Sequence, residues 1–173
     1  MPISMYSASV PVFQAMLGNL AYFIGKAEAH CTAKKIDPSA ITGFRLAPDM
    51  LPFTRQVLIA CDAAKNGVMR IGSIDAPKFE DKEQSFAELA ARIQKTLDYL
   101  DTIKPESLDG TEDKDISFPI GPDKTHTMKG EAYLKHWVTP NLYFHVTIAY
   151  AILRHNGVDL GKREFLLGAR GVS

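Results

Sequence analysis

Metal, nucleophilic or acid–base chemistry in this chain must come from a short inventory. It comprises His30, His126, His136, His145 and His155, the thiols of Cys31 and Cys61, and the carboxylates and amides beside them. No H-x-x-x-H, H-E-x-x-H or E-x-x-H pairing occurs, the patterns that set metal ligands on one helix face. A glycine-rich phosphate loop and a G-x-S-x-G nucleophile elbow are missing as well. Both cysteines fall in apolar helical patterns without C-x-x-C spacing, which predicts buried free thiols rather than a disulfide. No catalytic residue is assigned.

One histidine stands out by position. At roughly 100° per residue, Asn141, His145, Ile148, Ala149 and Ile152 share one helical face, so His145 points toward the core. On another helix Gln56 borders the stripe of Phe53, Ala60 and Ala63. Gln56, Asn141 and His145 are therefore the pocket candidates. The imidazole can hydrogen-bond Asn141, Gln56 or a trapped water and serve packing alone, it can line a ligand pocket, or it can ligate a metal. A buried imidazole or amide left without a partner costs about 1–3 kcal/mol. His136 is half a turn out of phase with His145, with Pro140 between them. His126 falls in the hairpin and His30 and His155 near helix ends, and Arg55, Asp62 and Arg154 read as surface or salt-bridging groups.

Four amphipathic helices position these residues. The first runs from about Ser9 to Lys34. Asp37-Pro38 breaks it, and the connector to Asp49 has room for one short turn at Ser39 to Ile41. The second starts near Leu51, with Pro52 in its first turn, and ends around Asn66-Gly67 or slightly later. The third opens at Ser85, where Ser85 and Glu88 form a capping-box pattern, and stops before Pro105. The fourth has Thr139 as N-cap, Pro140 at the first position and Gly157 as its terminator. Between the last two, Asp115 to Ile120 and Thr125 to Lys129 read as strands around a Gly121–Lys124 turn, followed by a short helix over Glu131 to Val138. The tail Lys162 to Leu167 packs Phe165, Leu166 and Leu167 back onto the helices.

Composition excludes several classes. The 173 residues carry 20 basic and 20 acidic side chains, and no basic cluster interleaved with aromatics, so nucleic acid is not an expected partner. The acidic excess between Asp75 and Asp115 reads as a solvated face and loops. Met1 to Gly25 is uncharged, but it lacks a basic n-region and is broken by polar residues and prolines. The expectation is one cytoplasmic domain over 1–173, with neither signal peptide nor membrane span.

The block Tyr143-Phe144-His145-Val146-Thr147-Ile148-Ala149-Tyr150-Ala151-Ile152-Leu153-Arg154-His155-Asn156-Gly157-Val158, followed by Leu160-Gly161-Lys162, resembles the last helix of an uncharacterised bacterial branch, a domain of unknown function, in the DinB-like superfamily. The resemblance implies an all-α DinB/YfiT-like four-helix bundle with a small β-hairpin before the last long helix, often homodimeric. It further implies a metalloenzyme superfamily in which many relatives hold a divalent metal (zinc, nickel or iron) with three histidines, and some use thiols of the bacillithiol, mycothiol or glutathione type. On that pattern His145 matches one histidine of the last-helix pair, Asn141 falls at the other, and Gln56 falls at or near the second-helix histidine. The expected function is binding of a small, largely apolar molecule in the bundle cavity beside a degenerate metal site. The alternatives are a metal-dependent thiol transferase or isomerase, and a structural homodimer or interaction module in which Met16, Phe23 and Leu58 lie at a subunit interface or against the connectors.

Overall fold

The computed structural model describes residues 3–168. Helix accounts for 61% of the chain and strand for 6%. Helix α1 spans Val10–Lys34, and its buried stripe of Val10, Phe13, Leu17, Leu20, Ile24, Ala27 and Cys31 repeats every three or four residues. The chain leaves α1 through Lys35 in the left-handed region, and a short α2, Pro38–Thr42, follows with Asp37 capping the Ser39 amide.

Helix α3 spans Phe53–Gly72, with Pro52 at its N-cap. It runs beyond the Asn66-Gly67 end expected from the sequence, because Val68 and Ile71 continue the buried stripe. Gly67 belongs in the helix for a packing reason. A Cβ there would stand 2.5 Å from Val138 Cγ1, so the missing side chain is the space Val138 occupies. Helix α4 spans Phe86–Asp101 and begins with the expected capping box between Ser85 and Glu88.

Strands β1 (Asp115–Pro119) and β2 (Thr125–Lys129) pair antiparallel, with Ile116 opposite Met128 and Phe118 opposite His126. Ile116 and Phe118 are buried. Phe118 lies against Tyr133 and Trp137, each with ring centroids 4.7 Å away, which anchors the hairpin to the helices.

The last long helix departs from expectation. Helix α5 (Gly130–Tyr133), a π turn (Leu134–Val138) and α6 (Thr139–His155) form one continuous helical run. Thr139 is not an N-cap: Val138 and Thr139 are both already helical, and the Thr139 N–H reaches back five residues to Leu134 C=O. Pro140 therefore sits inside the run. It lacks an N–H, and its ring would crowd the carbonyl four residues back in a regular α-helix; the wider π turn just before it relieves both.

Helices α1, α3, α4 and α6 pack on one another, with α3 and α6 in extensive contact and α1 against α4, α6 and α3. A final helix α7, Lys162–Leu167, lies on α1. Phe165 stacks on Phe23 and meets Tyr150 edge-on, but Leu166 and Leu167 face solvent, contrary to the expectation that all three pack inward. Met16, Phe23 and Leu58 are buried within the chain itself, so they are not available to a subunit interface. Among the described residues no helix is long and apolar enough to cross a membrane.

Candidate functional site

Helix α3 runs antiparallel to the continuous run of α5, the π turn and α6: Arg70 meets Tyr133, Gly67 meets Val138 and Gln56 meets His145. Polar side chains recur along this otherwise apolar seam. At one end Gln56, only 2% exposed, lies 2.7 Å from His145 Nδ1 through Oε1. The Gln56 Nε2 donates to the Leu51 carbonyl at 2.9 Å. A carbonyl can only accept, so the amide orientation is fixed and Oε1 must accept from the ring. Nδ1 therefore carries the proton, and the lone pair is on Nε2. Burial pushes the His145 pKa down to about 4, so the ring is neutral near pH 7.

Asn141, one turn earlier, makes no hydrogen bond with either residue among those described. It opens instead on a cleft with a cavity volume of about 210 Å³. Asp62, Asn66 and Arg70 face this cleft from α3; Tyr133, Trp137 and Asn141 face it from the run containing the π turn; Pro119 of the hairpin borders it. The concavity is thus beside the helix seam, under the hairpin, rather than enclosed within the apolar core. Arg70 Nη1 donates to Tyr133 Oη at 3.1 Å.

Asp62 also joins a buried ionic group behind the cleft. The Arg92 side chain is 1% exposed and contacts Asp81 at 2.9 Å, Glu83 at 2.9 Å and Asp62 at 3.5 Å. Its guanidinium lies 4.6 Å from the centroid of Phe79, and Lys65 approaches the same ring at 4.7 Å. A hydrogen bond from Arg55, with Arg92 assisting, holds the Asp81 carboxyl below its usual range. These contacts pin the segment between α3 and α4 to the helices. Part of the acidic excess between Asp75 and Asp115 therefore neutralises a buried guanidinium, where the sequence suggested only solvated charge.

Gln56, Asn141 and His145 do fall at neighbouring positions on the seam, but they do not suit a transition metal. One imidazole nitrogen is free, the Gln56 amide is already committed, and amides are weak ligands for zinc, nickel or iron. Among the described residues no group of three or more His, Cys, Asp and Glu side chains is placed to hold an ion. His136 is exposed, as are His126 and His155; His155 rests on Phe44. Arg55 pairs with Asp81, and Arg154 donates to the Val158 carbonyl, as surface roles require. Cys31 and Cys61 are buried and free.

Sequence reasoning missed Asn66, Arg70, Tyr133, Trp137 and Arg92. Placing the end of the second helix at Asn66-Gly67 removed Arg70 from any helical face. Arg92 did leave a signal: it stands three residues after Leu89 and one before Ile93, a charged residue on a core stripe.

The family described as "Domain of unknown function (DUF1993)" matches residues 5–166. The chain is also similar to the crystal structure of a DinB family member protein from Shewanella denitrificans. That similarity has a TM-score of 0.87 and 41% sequence identity, over 93% of this chain and 90% of the other. Among curated proteins none matches significantly.

Proposed function

Because the chain belongs to the DUF1993 family, a DinB-like branch whose description assigns no activity, we propose its function from geometry: a DinB-type four-helix bundle that binds a small molecule in the cleft between α3, the π turn and the hairpin. The observation that carries this reading is the convergence of Asn66, Arg70, Tyr133, Trp137 and Asn141 on one cavity. A few placed polar groups beside aromatic walls are the usual lining of a ligand site in a helical protein. The volume is below the roughly 300–1,000 Å³ of drug-sized pockets, which favours a small occupant. In this reading the position that holds a metal in DinB-like relatives is closed by the Gln56–His145 hydrogen bond, and no catalytic step is assigned to it.

Trp137 is the chain's only tryptophan and lines the cleft, so its emission reports directly on occupancy. A library of small metabolites is screened by Trp137 fluorescence, with hits repeated on Asn66→Leu and Asn141→Leu. Saturable responses weakened by both substitutions support the reading. A library without a saturable hit, or hits indifferent to both, overturns it. The homodimer that the resemblance implies would use the exposed Tyr143, Phe144, Leu166 and Leu167; a monomeric mass at high micromolar concentration refutes it.

A further inference from the structure

Arg70 is half-buried in the cleft wall, and among the described residues it makes no salt bridge. Its recorded partner is the neutral Tyr133 hydroxyl. A guanidinium has five donors in a planar fork, so most of Arg70's hydrogen-bonding capacity remains open. The ordinary explanation for a cation in the last turn of a helix is neutralisation of the C-terminal carbonyls. That task is already filled here by Lys114, whose Nζ donates to Ile71 C=O and Ser73 Oγ, each at 2.7 Å. The other charge on the cleft, Asp62, is engaged by Lys65 at 3.3 Å and Arg92 at 3.5 Å and is not Arg70's counter-ion.

The Tyr133 hydroxyl accepts from Arg70, so its own proton is free to donate. Tyr133 is 1% exposed and its ring is clamped against Phe118, which fixes that hydroxyl in place. The geometry points to an oxyanion-binding site in which Arg70 and Tyr133 hold the anionic group of a small organic acid whose flat body lies along Trp137, with Asn66 and Asn141 available to its polar substituents. This inference deepens the ligand-binding reading and rests on it. A guanidinium fork with a phenol donor suits a carboxylate or a phosphoryl group, which share the same acceptor chemistry.

The test titrates Trp137 emission with benzoate, phenyl phosphate, inorganic phosphate and the neutral isostere benzamide, at fixed ionic strength. Benzoate or phenyl phosphate should quench saturably and bind at least about tenfold more weakly to Arg70→Met, with about threefold loss in Tyr133→Phe and partial retention in Arg70→Lys. Benzamide should be indifferent to all three substitutions. Preference for benzoate assigns a carboxylate, and preference for either phosphate assigns a phosphoryl group. Melting temperatures of the variants verify that the fold survives. Equal benzoate affinity in wild type and Arg70→Met, or no saturable response to any of the three anions at millimolar concentration, overturns the inference. If neutral ligands still bind in an Asn66- and Asn141-dependent way, the cleft reading stands while the anion site falls; silence toward neutral and charged ligands alike removes both.

Discussion

Acidification should weaken the fold through His145 before the carboxylates titrate. The ring donates Nδ1–H to Gln56 and is half-buried, and burial takes its pKa from 6.5 to about 4. A histidine with a lowered folded-state pKa binds fewer protons in the folded than in the unfolded chain, so stability rises with pH between those two values. The full contribution is present above 6.5 and is lost as pH falls through 4. At about 1.4 kcal/mol per pH unit the span sets a ceiling near 3 kcal/mol, and solvent screening of a ring that is only partly enclosed reduces this to about 1–2 kcal/mol. The assay is urea unfolding at half-unit steps from pH 7.5 to 4.5, on wild type and His145→Gln. Subtracting the two curves removes every other titrating group. The difference should grow by about 1–2 kcal/mol across the window, with wild type losing more. Substituting Gln56→Glu places a carboxylate on Nδ1 and should raise the His145 pKa by one to three units, read from its ring proton shifts. A wild-type His145 that titrates near 6.5, or a difference curve flat with pH, refutes the reasoning.

Replacing Arg92→Met leaves Glu83 without its cation, while Asp81 keeps Arg55 and Asp62 keeps Lys65; unfolding should become easier by about 1–3 kcal/mol, with new proteolytic cleavage between residues 74 and 85. Gly67→Ala sets a Cβ 2.5 Å from Val138 Cγ1, a stiff side chain, and should cost about 1–3 kcal/mol while shifting Trp137 emission. Gly130→Ala drives a Cβ to 2.1 Å from the backbone oxygen of Thr111 and should destabilise more in the same denaturation assay. Burial takes the Cys61 thiol up to about 12, so a disulfide reagent at pH 8 should modify it at the rate of unfolding, not at the rate of a free thiol.

Elements marked by local signals were legible. The Ser85–Glu88 box, the Asp37-Pro38 break and the two strands around the Gly121–Lys124 turn each act within a few residues of themselves, and each appears where the sequence placed it. The pairing of Gln56 with His145 was one of the open options, because both lie on stripes that must face one another. Features decided by distant chain segments were not legible. Gly67 reads as a helix end until Val138, 71 positions later, is seen filling its missing side chain. Acidic residues at 81 and 83 read as solvated until Arg92 is seen buried between them. Leu166 and Leu167 read as core by type, yet the six-residue helix turns Phe165 inward and leaves them outside.

The helix start expected at Pro140 and the helix end expected at Gly67 meet at one place in the fold, beside the cleft. Pro140 suggested a helix start because an interior proline costs about 3 kcal/mol in a regular helix. The chain instead keeps the helix and widens one turn, with Thr139 bonded to Leu134 across five residues. A wider turn carries one extra residue, and the two residues at its end, Trp137 and Val138, both border the cleft. Gly67 receives Val138, and the approach of that single residue leaves Trp137 bridging between the hairpin's Phe118 and the cleft. On the α3 side, the turns flanking Gly67 supply Ala63 and Asn66 before it and Arg70 after it. The proline-driven π turn and the glycine meet on facing helices at the cleft's edge, and the polar groups that line it lie within five residues of that contact on either helix.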